Sequence, residues 1–254
     1  MSVYYSDDLV TLHHGDAAEI LPTLSGVAAT FTSPPYNTLG GRVPHAHPGM
    51  FRGNGWMAKV AAVGYADDMS EPDYAAWQVA VASLIHDATR PGGSFFYNHK
   101  CRWRDMQMIH PLDYVRAFDG WLLRQEVIWD RNLSMTFNAR MFATSEERIY
   151  WMVRDGAPHV WNQEAASYLS VWKVRPQTGV SDHPCPFPEG IVTRALVGTT
   201  NPGDLVLDPF AGSGTTLQVA KDMGRRAVGI EVREDYCEAI AKRMTQDTLF
   251  GGAA

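Results

Sequence analysis

The sequence predicts a single α/β domain over residues 1–254, built on a mostly parallel, twisted sheet. Short apolar runs of strand type alternate with amphipathic stretches of helical period along most of the chain. Two of those runs end in chemically loaded turns. Val27 to Thr32 leads into Ser33-Pro34-Pro35-Tyr36, and Leu205 to Asp208 leads into a glycine-rich bend. A length of 254 residues with 45% hydrophobic content suffices for one large core and is long for two.

Taken in order, Val10 to His13 reads as a strand, closed by Gly15-Asp16-Ala17 before an amphipathic helix from Ala17 to Leu24. Val27 to Thr32 is the next strand. Residues from about 37 to 70 show no clear period and carry Gly40-Gly41, Pro44 and Pro48, which marks a loop insertion. His45 and His47 inside it lack further ligands at metal spacing and read as solvated, so no metal is expected. Glu71 to Arg90 places Tyr74, Trp77, Val81, Leu84, Ile85 and Ala88 on one helical face, with Pro72 in the first turn and Pro91-Gly92-Gly93 past the end. Ser94 to Asn98 is a buried-type strand whose aromatics belong to the core.

Trp121 to Trp129 and Glu147 to Val153 predict an antiparallel pair, and a small recognition region spans about 130–180, with a strand-like run at Val171 to Arg175. A helix from Pro188 to Gly198 has the apolar face Ile191, Ala195, Leu196. After Asp208 the pattern gives a helix from Thr216 to Met223 and a strand from Ala227 to Glu231. A last helix from Arg233 to Thr248 precedes a loose tail.

Chemistry concentrates in the two turns. Adjacent prolines fix φ and remove two N–H groups, so Ser33, Pro34 and Pro35 offer acceptors and almost no donors. Such a turn suits an incoming NH₂ group: Ser33 Oγ accepts one hydrogen, the Pro34 carbonyl the other, and Tyr36 lays its ring on a planar heterocycle. The bland alternative is a Pro-Pro turn with a packing tyrosine. The second stretch, Asp208-Pro209-Phe210-Ala211-Gly212-Ser213-Gly214-Thr215-Thr216, reads as strand, tight loop, helix, with backbone able to approach a ligand. Glu231, at the end of the next strand, stands where a carboxylate holds the hydroxyls of a ribose. A phosphate-binding P-loop fails because no lysine follows Gly214, and the dinucleotide pattern fails at Leu217.

Thr32-Ser33-Pro34-Pro35-Tyr36-Asn37 followed far downstream by Asp208 to Thr216 resembles the SAM-dependent DNA amino-methyltransferases, which methylate N6 of adenine or N4 of cytosine. The order of the two motifs is similar to that of the circularly permuted beta class. The resemblance implies a Rossmann-like class I methyltransferase fold, S-adenosyl-L-methionine as cofactor and double-stranded DNA as partner. It implies catalytic roles for Ser33, Pro34, Pro35 and Tyr36, and cofactor contacts from Asp208 through Thr216 and from Glu231. Asp16, with Ala17, matches the family's acid that accepts from the adenine amino group, although it can equally cap the following helix. His183-Pro184-Cys185-Pro186-Phe187-Pro188 resembles the family's segment beside the methionine end of the cofactor, so His183 and Pro184 join the cofactor set. Serine at the first position of the catalytic tetrapeptide is typical of the N4-cytosine enzymes, aspartate of the adenine enzymes. The insertion would then be a lid over DNA and a flipped base. A second copy of the chain and a cognate restriction endonuclease are candidate partners. A small-molecule, RNA or protein methyltransferase, or a phosphate-binding protein, is the rival class.

A formal net charge of −6 argues against binding nucleic acid through bulk electrostatics. Positive charge must be concentrated, and Arg42, Lys100, Arg102, Arg104, Arg131 and Arg140 are the DNA-contact candidates; interspersed acids leave a mixed solvated surface as the alternative. Cys101, Cys185 and Cys237 lack any C-x-x-C spacing, which fits a reduced compartment. Met1 to Asp8 carries no apolar signal core and no run approaches the ~18 apolar residues of a membrane span, so no membrane contact and a cytoplasmic location are expected.

Overall fold

The computed structural model describes residues 2–37, 69–132, 141–176 and 187–250, with side chains to 246. Its strands are β1 (Ser2–Ser6), β2 (Val10–His14), β3 (Val27–Thr32), β4 (Thr89–His99), β5 (Arg102–Arg104), β6 (Gln107–Ile109), β7 (Trp121–Asp130), β8 (Glu146–Arg154), β9 (Val171–Lys173), β10 (Leu205–Asp208) and β11 (Arg226–Glu231). The helices are α1 (Ala17–Ile20), α2 (Glu71–Ala88), α3 (Leu112–Val115), α4 (Glu189–Thr199), α5 (Thr215–Asp222) and α6 (Glu234–Phe250). All strands except the β5–β6 hairpin form one sheet in the order β1-β2-β11-β10-β3-β4-β8-β7-β9. From β2 to β4 neighbouring strands are parallel; β8 is antiparallel to both β4 and β7, giving the expected hairpin.

Side-chain alternation along the strands explains why helices cover both faces. Phe96, Trp151 and Val206 join Ile191, Leu217 and Ile240 in one core, while Phe95, Met152 and Leu207 join Ile20, Tyr74 and Ile85 in the other. Central strands are therefore buried in consecutive residues, as β3 is throughout, with Thr30 and Thr32 the polar members of an otherwise apolar run. α2 starts where Ser70 Oγ accepts from Asp73 N at 3.3 Å, with Pro72 in the first turn.

Several elements depart from expectation. β1 was not anticipated in the polar start of the chain; it pairs as an edge strand with β2, where one exposed face tolerates polar residues. The first helix ends at Ile20 and continues as a 3₁₀ turn over Leu21–Thr23, because Pro22 lacks the N–H that an α-helix would use. Pro91-Gly92-Gly93 does not separate helix from strand but lies inside β4, where the pairing with β3 shifts register. Gly92 adopts φ +75°, and a Cβ there would stand 2.5 Å from the Pro158 carbonyl. α6 runs to Phe250, so the loose tail begins later than expected.

Strand order reverses between β10 and β3: β11 and β2 follow on one side, β4 on the other. At such a switch point the connections leave in opposite directions and open a crevice at the carboxyl ends of the strands. Both loaded turns emerge there.

Candidate active site

The two turns are joined across the crevice. Thr32 Oγ1 donates to Asp208 Oδ1 at 2.8 Å, bridging the ends of β3 and β10. Tyr36 and the glycine bend thus belong to one sheet edge.

On the β10 side polar groups are held mainly by backbone. Glu231 is buried at the end of β11; its Oε2 accepts from Gly212 N at 2.8 Å and its Oε1 from Arg233 N at 3.0 Å. Burial pushes its carboxyl up, and those two amides partly offset the rise. Gly212 and Gly214 take φ +53° and +76°, which glycine adopts without steric cost, and α5 starts directly after Gly214. Ser213 Oγ and Thr215 Oγ1 are 3.0 Å apart, and Thr215, Thr216 and Ala211 are buried. Asp208 is fully buried; Oδ1 also accepts from Phe210 N at 3.2 Å, while Oδ2 has no partner among the described residues. Burial pushes this carboxyl up to about 6, with the nearby Thr216 hydroxyl and the bonds from Thr32 and Phe210 pulling the other way. Asp16 caps α1, accepting from Ala18 N at 2.8 Å, and stays exposed; Ala17 is buried beside it. Gly15 N donates to the Glu231 carbonyl at 3.0 Å, which sets Asp16 next to Glu231. Pro209 follows Asp208 in the same bend. His183 and Pro184 lie outside the described residues; Phe187, just after them, packs on Phe31 at 5.5 Å between ring centroids.

On the β3 side polar groups are held by one another. Ser33 Oγ is hydrogen-bonded to Tyr36 OH, which donates to Glu147 Oε2 at 3.0 Å. Asn98, wholly buried at the end of β4, reaches Tyr36 OH at 2.8 Å, Glu147 Oε2 at 2.9 Å and Ser33 Oγ at 3.3 Å through Nδ2. Arg131 Nη1 approaches Glu147 Oε1 at 3.4 Å. Behind the turn, Tyr74 OH lies 2.6 Å from the Pro35 carbonyl and 2.7 Å from His99 Nε2. The amino-group acceptor assigned from the sequence is the carbonyl one residue earlier, on Pro34. Burial holds the His99 imidazole well below its usual range, with repulsion from Arg102 and Lys100 acting in the same direction. A neutral ring whose Nδ1 faces the Lys100 carbonyl at 2.7 Å carries its proton there. The Tyr36 ring sits 4.5 Å from the His99 ring, centroid to centroid, and Lys100 Nζ lies 5.2 Å above it.

Among the DNA-contact candidates, Arg42 and Arg140 lie outside the described residues. Lys100 stands at the site. The Arg102 side chain is 3% exposed, bonds Glu71 at 2.8 Å and covers the Tyr74 ring at 4.5 Å. Arg104 also turns inward, to Glu71 at 2.9 Å and to the Asn37 carbonyl. Arg131 is held by Glu147 and the Thr144 carbonyl. Asn37, at φ +52°, donates to the Met69 carbonyl at 3.0 Å and so ties the two ends of the 38–68 segment together. Sequence reasoning missed Asn98, His99, Tyr74 and Glu147; the available signal was a polar pair, Asn98-His99, at the carboxyl end of a strand buried from Gly92 onward.

The model of the N6/N4 DNA methylase family, described as DNA methylase, matches residues 27–243. The chain is 26% identical over 276 aligned residues to the Type II methyltransferase M.ScaI of Streptomyces caespitosus, covering 95% of this chain and 83% of that protein. Its fold superposes on PvuII DNA methyltransferase (cytosine-N4-specific) with a TM-score of 0.73 at 17% identity, covering 95% of this chain and 88% of the other. It superposes on M1.HpyAVI in complex with SAM with a TM-score of 0.67 at 23% identity, covering 93% and 99%.

Proposed function

Because the chain belongs to the N6/N4 DNA methylase family, we propose that it is a site-specific DNA methyltransferase carrying a methyl group from S-adenosyl-L-methionine to the exocyclic amino group of a flipped base, N4 of cytosine in preference. The observation that carries this reading is the Thr32–Asp208 bond, which fastens the acceptor-rich turn to the cofactor-type strand.

The residues fit the cofactor. Glu231 is set for the ribose hydroxyls, the glycine bend admits close approach, and Asp208 Oδ2, buried without a partner among the described residues, suits an N–H donor or a cation. Asp16, exposed beside Glu231, would accept from the adenine amino group. When bound, S-adenosyl-L-methionine supplies an electrophilic methyl group on a sulfonium. An exocyclic amino nitrogen is a poor nucleophile because its lone pair is delocalised into the ring. Ser33 Oγ and the Pro34 carbonyl accept its two hydrogens, drawing the nitrogen towards sp³ and aiming the lone pair along the transfer axis. The base leaves the helix to reach this edge, and Tyr36 replaces about 1 to 3 kcal/mol of lost stacking. The 37–70 insertion and the 130–180 region would read the DNA as parts of one domain, with Lys100 a phosphate contact. No described helix is long and apolar enough to cross a membrane. The reading places the enzyme in the cytoplasm, with a second copy and a cognate restriction endonuclease as candidate protein partners.

Preference for cytosine rests on Ser33 and on the cytosine-N4 specificity of the PvuII enzyme that shares the fold. The buried Glu147 carboxylate wired to Ser33 favours N6 of adenine as a second reading, since it supplies the charge that an aspartate would bring. The test is incorporation of labelled methyl from S-adenosyl-L-methionine into duplex DNA, followed by hydrolysis and mass spectrometry of the nucleosides. N4-methylcytosine is expected; N6-methyladenine would replace it with the second reading, and label in RNA alone would overturn both.

A further inference from the structure

Methylation of an amino group leaves a proton to be removed, and the site contains a built path for it; this inference rests on the function proposed above. Tyr36 has one hydroxyl hydrogen, and it points at Glu147 Oε2, an atom that only accepts. In the Ser33–Tyr36 bond the serine must therefore be the donor. The two hydrogens of Asn98 Nδ2 are closest to Tyr36 OH at 2.8 Å and Glu147 Oε2 at 2.9 Å, with Ser33 Oγ farther at 3.3 Å. Ser33 Oγ is thus left as an acceptor whose own hydrogen is already committed inward. The Glu147 side chain is 9% exposed and faces Arg131 through its other oxygen at 3.4 Å.

We propose that Glu147 is the terminal proton acceptor of the methyl transfer, reached from the base through Ser33 and Tyr36. As the nitrogen lone pair forms the new N–CH₃ bond and the pair of the breaking C–S bond stays on sulfur, the amino nitrogen becomes cationic. Its proton passes to Ser33 Oγ, the serine proton to the Tyr36 oxygen, and the tyrosine proton to Glu147 Oε2. Each hydroxyl ends with the one proton it began with. The product is a neutral methylamino base and a neutral Glu147 carboxyl, which returns its proton to water before the next turnover. Serine alone is too weak a base to keep that proton; the chain of hydroxyls places a carboxylate at its disposal. Glu147 acts through Tyr36 and Ser33 and is a positioning and proton-accepting residue.

The experiment uses the full chain, duplex DNA and labelled S-adenosyl-L-methionine under single-turnover conditions, with Tyr36→Phe, Glu147→Gln and the double variant. Phenylalanine keeps the ring against His99, so folding is not at stake. Each single variant should slow transfer by about 100-fold or more, and the double should be no slower than the worse single. Cofactor affinity by calorimetry and DNA affinity by anisotropy should stay within about twofold of wild type, a split that loss of structure would not give. The wild-type rate in H₂O/D₂O mixtures should curve as for several protons in flight, and Tyr36→Phe should lose that curvature. With no cofactor present, the infrared difference between wild type and Tyr36→Phe should show the C–O stretch of a donating phenol, shifted in Glu147→Gln. A Tyr36→Phe rate within about threefold of wild type, additive losses, or an unchanged isotope dependence overturns the relay. A wild-type chain that methylates no DNA overturns the functional reading itself and takes the relay with it.

Discussion

The two sides of the crevice are held in different ways. On the β10 side, Glu231 and Asp208 are fastened chiefly by backbone amides, those of Phe210 and Gly212 in one bend and that of Arg233 two residues past β11. On the β3 side, Ser33, Tyr36, Asn98 and Glu147 come from the ends of three strands and bond one another through side chains. A backbone-held site survives substitution of its neighbours, because the amides stay. A side-chain-held site fails as a unit when its central member is removed. Asn98 is that member, and Asn98→Ala should cost the most: about 100-fold or more in single-turnover methyl transfer, together with about 1 to 3 kcal/mol of stability from the stranded partners. Calorimetric cofactor affinity should be unchanged. Equal losses of cofactor affinity and rate would erase the distinction between the two sides.

Asp208 sharpens the contrast from the other direction. Its folded-state value of about 6 stands above the ordinary 3.8 because it is buried. A raised value means that the folded protein holds this proton more tightly than the unfolded chain. The stability it confers is therefore complete below about 4 and lost as pH rises through about 6, about 3 kcal/mol in all. Asp208→Asn should abolish that fall in thermal denaturation followed from acid to neutral pH. A cofactor group that donates to Oδ2 favours the carboxylate, so wild-type cofactor affinity should weaken below pH about 6 while the Asn variant is weak and flat. A wild type with no such dependence would remove Asp208 from the cofactor's reach.

How far each side was legible in the sequence follows from the same difference. The glycine bend and Glu231 are readable because consecutive residues carry the geometry: a strand, two glycines at positive φ and an acid at the next strand's end. The Ser33 turn was readable as a set of acceptors, but the partners that orient it were not. Glu147 lies 111 residues from Tyr36 and Asn98 lies 62, and only the antiparallel pairing of β8 with β4 brings their side chains together. The strands themselves were largely found, since burial on both faces leaves continuous apolar runs. β1 escaped because an edge strand exposes one face, and the Pro-Gly-Gly inside β4 escaped because a bulge and a turn share the same residues. The orientation of the cations from Lys100 to Arg104 was not legible for a physical reason: sequence shows that a guanidinium is present and not which way it points.

That cluster gives the smallest effect and separates two residues of identical charge. Lys100 lies over the Tyr36 ring at the mouth of the crevice, whereas the Arg102 guanidinium, nearly sealed from solvent, joins Glu71 to the Tyr74 face. If Lys100 meets a DNA phosphate, Lys100→Ala releases one fewer counterion on binding. The slope of log K against log salt should then fall by about one, with stability unchanged. Arg102→Ala should leave that slope alone and lower stability by about 1.5 to 3 kcal/mol, the worth of a charged hydrogen bond that Arg104 replaces only in part. Anisotropy titrations at several salt concentrations and thermal melts of both variants decide the matter. A slope change in Arg102→Ala equal to that in Lys100→Ala would mean that this guanidinium turns outward to the nucleic acid, and that the inward pairing with Glu71 gives way when DNA binds.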